Sequence, residues 1–363
     1  LNLIVVKQTE NAPDLFDLHP LVRQFVRKRF SPTQRAGFIK VVLNGYQAII
    51  GTFSALLGVH MPFAMLNRYS QKVELEVSAG LFEKAFDTLS DAEDALIGGG
   101  HTQEYVRVAR VLFEAIDWET APAKYKQFDK TVSVMVSTLD QLGETSSADE
   151  MLRNYEATIP QKTARYINCC DVKAFSHWQR SEFDQAVEWA SRGVRLKEET
   201  NVDTNFDCEH TLALSQRDVG EPALALDLFL KGSSLDELLS GESDYGFEGA
   251  VYGNVGRCLQ KMGRGDDALK CFKKSFRGLE QDSSLHSKSN RAYARKWIAE
   301  VLGSQGDKSG SQAFYLDAIK ILSSGAPLRV KEIASELAAL NDQDAQVMSD
   351  SQAARIVTQW AQS

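Results

Sequence analysis

Through most of the chain, apolar and small residues recur every three or four positions, the spacing that lines one face of a helix. Residues 251–279, VYGNVGRCLQKMGRGDDALKCFKKSFRGL, show the pattern clearly. Tyr252, Val255, Gly256 and Leu259 share one face and Gly263 ends that helix. Ala268, Phe272 and Ser275 then share the inner face of a second helix. Strand-like alternation and proline are scarce across this long middle region, so the pattern predicts helical hairpins.

Aligning on the turn residue recovers further copies. After Gly80 come Phe82, Ala85, Leu89 and Ala92; around Gly143 lie Met135, Val136, Leu139, Ala148 and Leu152. Ser181 serves as the next turn, followed by Phe183, Ala186, Ala190 and Gly193. Leu212, Ala213, Ala225, Phe229 and Gly232 surround Gly220, and Ile298, Ala299, Leu302, Tyr315 and Ala318 surround Gly306. Small residues let paired helices approach, aromatic knobs fill the gaps, and glycine supplies the left-handed turn. The pattern resembles the tetratricopeptide repeat over roughly residues 69–322. Turn-to-turn spacings of 63, 38, 39, 43 and 43 residues all exceed that family's basic unit. The longest gap predicts an additional helix, HTQEYVRVARVLFEAIDW, residues 101–118. The resemblance implies an all-α solenoid of stacked hairpins, each burying its apolar stripe against the next.

The start reads differently. LIVVKQ and DLFDL are a strand pair around the turn ENAP, and Leu18, Leu21, Val22, Phe25 and Val26 then take up helical spacing. Pro20 suits the first turn of that helix. Such a hairpin-plus-helix looks like the end of a winged-helix domain. LHPLVRQFV is similar to the "MHD-like" segment of STAND ATPases, the NB-ARC class of signalling NTPases, with Leu18 in place of the Met and Pro20 in place of the Asp. The resemblance implies that His19 contacts the β-phosphate of ADP in a full-length protein, and that the repeats bias a closed-to-open transition. No G-x-x-x-x-G-K-[ST] occurs here, and IGGGH at residues 97–101 reads as a helix stop, so ATP or ADP is expected only in a longer protein. The expected divisions are the end of a winged helix (1–30), a helical linker (31–67), repeats (68–322) and two capping helices (323–363).

Composition narrows the classes. A net charge of −8 disfavours a nucleic-acid binder, and no block of like charges stands out. The five cysteines have neither CxxC nor finger spacing, and they read as reduced, largely core-facing thiols of a cytoplasmic protein. Residues 41–66 carry no formal charge, yet Asn44, Gln47, His60, Pro62 and three glycines favour two buried helices over a membrane span.

Catalytic chemistry is not expected. The histidines are dispersed, and HExxH and GxSxG are absent. Asp91, Glu93 and Asp94 read as a solvated helix face, and Asp266 and Asp267 as a helix start. What remains is a concave surface lined by the first helix of each hairpin. The resemblance places ligand-contact positions at Asn168, Asp171, Phe175 and Trp178, then Asp207, His210 and Arg217, then Arg257, Gln260 and Lys261, and finally Tyr293 and Lys296. These grade from acidic and aromatic to basic, which suits a protein or extended peptide with aromatic anchors. The expected partners are such a ligand and the chain's own nucleotide domain, with the fragment itself monomeric. A stand-alone repeat adaptor, or a peptide-pheromone receptor without a nucleotide domain, is the alternative.

Overall fold

The computed structural model describes residues 4–7, 15–18, 29–202, 204, 206–240, 248–281, 285–323, 326–340 and 348–362. Strands β1 (Ile4–Lys7) and β2 (Leu15–Leu18) pair antiparallel, with Ile4 opposite Leu18 and Lys7 opposite Leu15, as the sequence predicts. His19, with the helix expected after it, lies outside the described residues.

Helix α1 (Pro32–Gly51) opens with a capping box. The Ser31 hydroxyl accepts from the Gln34 backbone at 3.2 Å, and the Gln34 side chain accepts from the Ser31 backbone at 3.0 Å. The charge-free stretch that follows is not the buried pair its composition predicts. Val41 is 71% exposed, and Val42, Ile49 and Leu56 are also exposed; among the described residues α1 packs mainly along α2 (Phe63–Ser78). Lack of charge reports what a segment tolerates, not what covers it. No described helix is long and apolar enough to cross a membrane.

From α2 onward the helices pack as adjacent pairs, an all-α solenoid of the predicted kind. Helix α2 pairs with α3 (Phe82–Gly98), so the repeats begin a few residues inside the segment assigned to the linker. The extra helix of the long gap is α4 (Thr102–Ala115), followed by the single turn α5 (Ala121–Lys124). Then come α6 (Phe128–Leu142) with α7 (Thr145–Ala157), and α8 (Ala164–Gln179) with α9 (Phe183–Thr200). Helix α10 (Cys208–Val219) pairs with α11 (Pro222–Leu230), with the short α12 (Leu235–Ser240) beyond. The last pairs are α13 (Gly249–Lys261) with α14 (Gly265–Gln281), and α15 (Leu285–Ser304) with α16 (Lys308–Leu322). Helices α17 (Pro327–Leu340) and α18 (Asp350–Gln362) both pack on α16.

The turn residues behave as their spacing predicts. Gly80, Gly143, Gly220, Gly263 and Gly306 all have positive φ, between 71° and 114°. Ser181 takes the same left-handed conformation, φ 64°, without glycine's freedom. The hairpin seams close on Ala85, Ala148, Ala186, Ala190, Ala225, Ala268, Ala299 and Ala318, all fully buried. At Gly256 an added Cβ would lie 2.7 Å from the Phe272 ring, so only a hydrogen fits between α13 and α14.

Two expectations need correcting. Gly232 is not a seam residue: α11 stops at Leu230, and Lys231 and Gly232 turn left-handed, φ 49° and 84°. Glu93 is not solvated with Asp91 and Asp94. It is 5% exposed, because its position in α3 turns inward towards Lys130, 3.4 Å away. All five cysteines are buried and free, and burial pushes the Cys169, Cys258 and Cys271 thiols up to about 12.

The apolar interior falls into two clusters. One runs from Ile50 to Val172 and the other from Ala213 to Val357. Between them sits a small seam of Ala174, Ala190 and Leu212, where α8, α9 and α10 meet.

Candidate functional site

Successive first helices α6, α8, α10, α13 and α15 neighbour one another, so their facing side chains line one continuous surface. A polar ladder runs along it. Asp140 on α6 accepts from the Ser176 hydroxyl at 2.6 Å and from Arg180 at 2.7 Å. Trp178 Nε1 donates to Asp218 Oδ2 at 2.9 Å, and Lys261 stands 3.4 Å from the same carboxylate. Arg217, only 2% exposed, bonds both its neighbour Asp218 and Asn254 Oδ1, the latter at 2.6 Å. Arg257 and Gln260 both donate to Glu300, Gln260 at 2.9 Å. Lys296 reaches Glu332 at 3.2 Å and Glu336 at 2.8 Å on α17.

Electrostatics follow from this pairing. Burial pushes the Asp218 carboxyl up, but Arg217, Trp178 and Lys261 together outweigh it and hold it at about 2. Burial pulls Lys296 down, and its three glutamates more than restore it above its ordinary value. An aromatic hub fills the space beside the ladder. Trp297 stacks on Tyr293 at 5.9 Å and on Phe272 at 6.1 Å, with Arg217 over its ring at 5.2 Å and Arg257 at 5.7 Å.

Five of the positions marked in the sequence therefore hold inner helices together, Trp178, Arg217, Arg257, Gln260 and Lys261, while Lys296 ties α15 to α17 and Tyr293 stacks on Trp297 within α15. Phe175 stacks on Trp178 at 5.3 Å. Asp207 caps α10, accepting from the His210 backbone at 3.1 Å, and faces Lys231 at 3.7 Å. The His210 ring meets Phe229 edge-on at 5.6 Å, and burial lowers its pKa.

Asn168 and Asp171 differ from the rest. They lie one turn apart on α8, 6% and 8% exposed, and the Oδ1 atom of each is buried without a hydrogen-bond partner. Burial raises the Asp171 carboxyl to about 6, with Asp207 adding to the rise and the Thr211 hydroxyl opposing it. Such groups cost free energy unless something satisfies them. Among the described residues no cluster could hold a metal ion. Two surface clefts, about 400 and 360 Å³, lie elsewhere, where α4 meets α6 and α7.

The sequence reading missed the acidic half of the ladder and Trp297. A signal was present. Arg257 and Glu300 each stand six residues before their turn glycine, and Asp218 and Lys261 each stand two before theirs. Opposite charges at one repeat position in consecutive repeats face each other across the seam.

Neither a protein-family model nor a curated protein matches the sequence. Among solved structures the chain is similar to BtubC (BKLC) from P. vanneervenii, at 15% identity and a TM-score of 0.37, over 69% of this chain and 94% of that one.

Proposed function

We propose that the chain is a non-catalytic region that binds a protein or extended peptide, working as the sensor of a STAND-type nucleotide-driven switch. The observation that carries the binding reading is the pair of buried, unpartnered oxygens on Asn168 and Asp171. Asp140, Asp218, Arg257 and Lys296 on the inner face each have a counter-charge from this chain; these two oxygens have no hydrogen-bond partner among the described residues. An incoming backbone N–H, or a lysine or arginine side chain, would satisfy both and offset their desolvation. Phe175 beside them supplies an apolar edge for the same ligand.

A random-sequence peptide library panned against the chain tests this reading. The expected binders share a basic residue and lose at least tenfold in affinity with Asp171→Ala, while Asp236→Ala on α12 has no effect. Capture unaffected by Asn168→Ala and Asp171→Ala overturns it. The STAND part of the reading rests on the antiparallel hairpin and on the LHPLVRQFV resemblance. A P-loop encoded within a few hundred residues upstream supports it. Its absence there leaves the stand-alone adaptor.

A further inference from the structure

We infer that the solenoid is a hinged clamp: its two halves pivot at the seam of α8, α9 and α10, and two cations clasp them together on the opposite side. This rests on the binding reading above, because it states how a ligand reaches Asn168 and Asp171.

The hinge is visible in the packing. The N-terminal and C-terminal cores are separate clusters, and Ala174, Ala190 and Leu212 form a third, small one between them. Phe175 and Trp178 on α8 reach across this seam to the C-terminal core, and Trp178 bonds Asp218, so the seam holds while the halves turn about it. At Gly193 an added Cβ would lie 2.4 Å from Cys208 Sγ, so α9 and α10 meet with little between them. Closely packed helices of this kind move past one another by small shear displacements.

The clasp lies where the C-terminal half comes back to the N-terminal half. Lys288 at the start of α15 donates to the Gly98 carbonyl oxygen at 2.9 Å, across 190 residues. Arg329 on α17 donates to the Gln179 carbonyl, across 150 residues. Both acceptors are final residues of helices, α3 and α8, where carbonyls lack intrahelical partners and the helix dipole concentrates negative charge. Leu328 lies over Gly143 at the end of α6, yet remains 49% exposed, so little apolar surface is sealed. Electrostatics hold the clasp, and salt weakens such contacts. These expectations differ from a simple cap: α18 covers α16, while α17 closes the ring.

The clasp is wired to the inner face. Arg329 also donates to Glu332 at 2.8 Å and lies beside the Tyr293 hydroxyl, and Glu332 in turn pairs with Lys296. A ligand that draws on Tyr293, Lys296 or Glu332 therefore weakens the hold of Arg329 on Gln179. Asn168 and Asp171 lie on α8 at the pivot itself, where Thr211 of α10 packs against Asp171, so a turn about that seam changes the cover of their oxygens. Differential affinity for open and closed forms is what population shift requires.

The test compares the full chain with Lys288→Ala/Arg329→Ala by small-angle scattering and hydrogen exchange, without ligand, at low and high salt. The expected result is a larger radius of gyration and at least tenfold faster amide exchange in α8 and α10. Wild type should move the same way between 50 mM and 1 M salt, and Lys288→Arg/Arg329→Lys should hold the closed radius. Far-ultraviolet circular dichroism equal to wild type shows that the helices persist. If helicity is lost, the wild-type salt series alone decides. An unchanged radius and unchanged exchange in the folded variant, or in wild type across salt, overturn the clamp. Because this readout uses no ligand, a failed peptide screen leaves it standing. Conversely, an opened variant with unaltered peptide affinity removes the gating role and spares the binding reading.

Discussion

Trp178 Nε1 donates to Asp218 Oδ2 at 2.9 Å and so ties α8 to α10 across 40 residues. The same carboxylate serves Arg217 and Lys261, so three side chains from three inner helices converge on Asp218. Asp218→Asn is expected to cost about 3 kcal/mol at pH 7, because a buried arginine loses its counter-ion. The carboxyl sits at about 2 when folded, below its ordinary value. Its contribution is therefore present above about pH 4 and is lost as the pH falls towards 2. Urea melts of wild type and variant should converge over that interval.

Glu93 has the opposite linkage. Burial raises its carboxyl to about 7 despite Lys130, so the folded state holds a proton that the unfolded chain has already released. Stability from this site falls as the pH rises from about 4.5 to 7. Glu93→Gln is expected to raise stability at pH 8 by on the order of 1–3 kcal/mol, with little gain at pH 5. Thermal melts at the two pH values decide; an equal effect at both would remove the assignment.

Ser181 turns the α8–α9 hairpin at φ 64° where the corresponding turns use glycine. Ser181→Gly relieves left-handed strain but frees the unfolded chain, a net gain of roughly 0.5–1 kcal/mol. A lowered denaturation midpoint would show that the Ser181 side chain contributes something that its geometry does not display.

Gly256 works by close approach rather than by conformation. An alanine methyl there would overlap Phe272, so Gly256→Ala is expected to cost about 1–3 kcal/mol. Pairing it with Phe272→Leu should recover part of the loss in a double-mutant cycle. Full additivity would mean that the two residues are not coupled.

The hairpins were legible because each is a local object. Tyr252, Val255, Leu259, Ala268 and Phe272 lie within one short stretch, and all are buried as their spacing predicts. The inner face was legible only by position. Asn168, Asp171, Trp178 and Arg217 were marked as ligand-contact positions on the inner face, but the sequence did not show which of them had partners within the chain. Arg257 looks like a free cation until α15 brings Glu300 to it. Glu93 looked solvated because its neighbours Asp91 and Asp94 are; a one-residue change of helical angle buries it. For α1, the absence of charge carried no information about what covers it.

By itself, the sequence determined an all-α stack, since the 3.6-residue period, seam alanines and turn glycines act between residues close along the chain. Only the tertiary structure decided that the stack closes, through Lys288 on Gly98 and Arg329 on Gln179. The physical reason is accumulation: a small rotation at each hairpin is invisible locally, and its sum over the array determines whether distant ends meet.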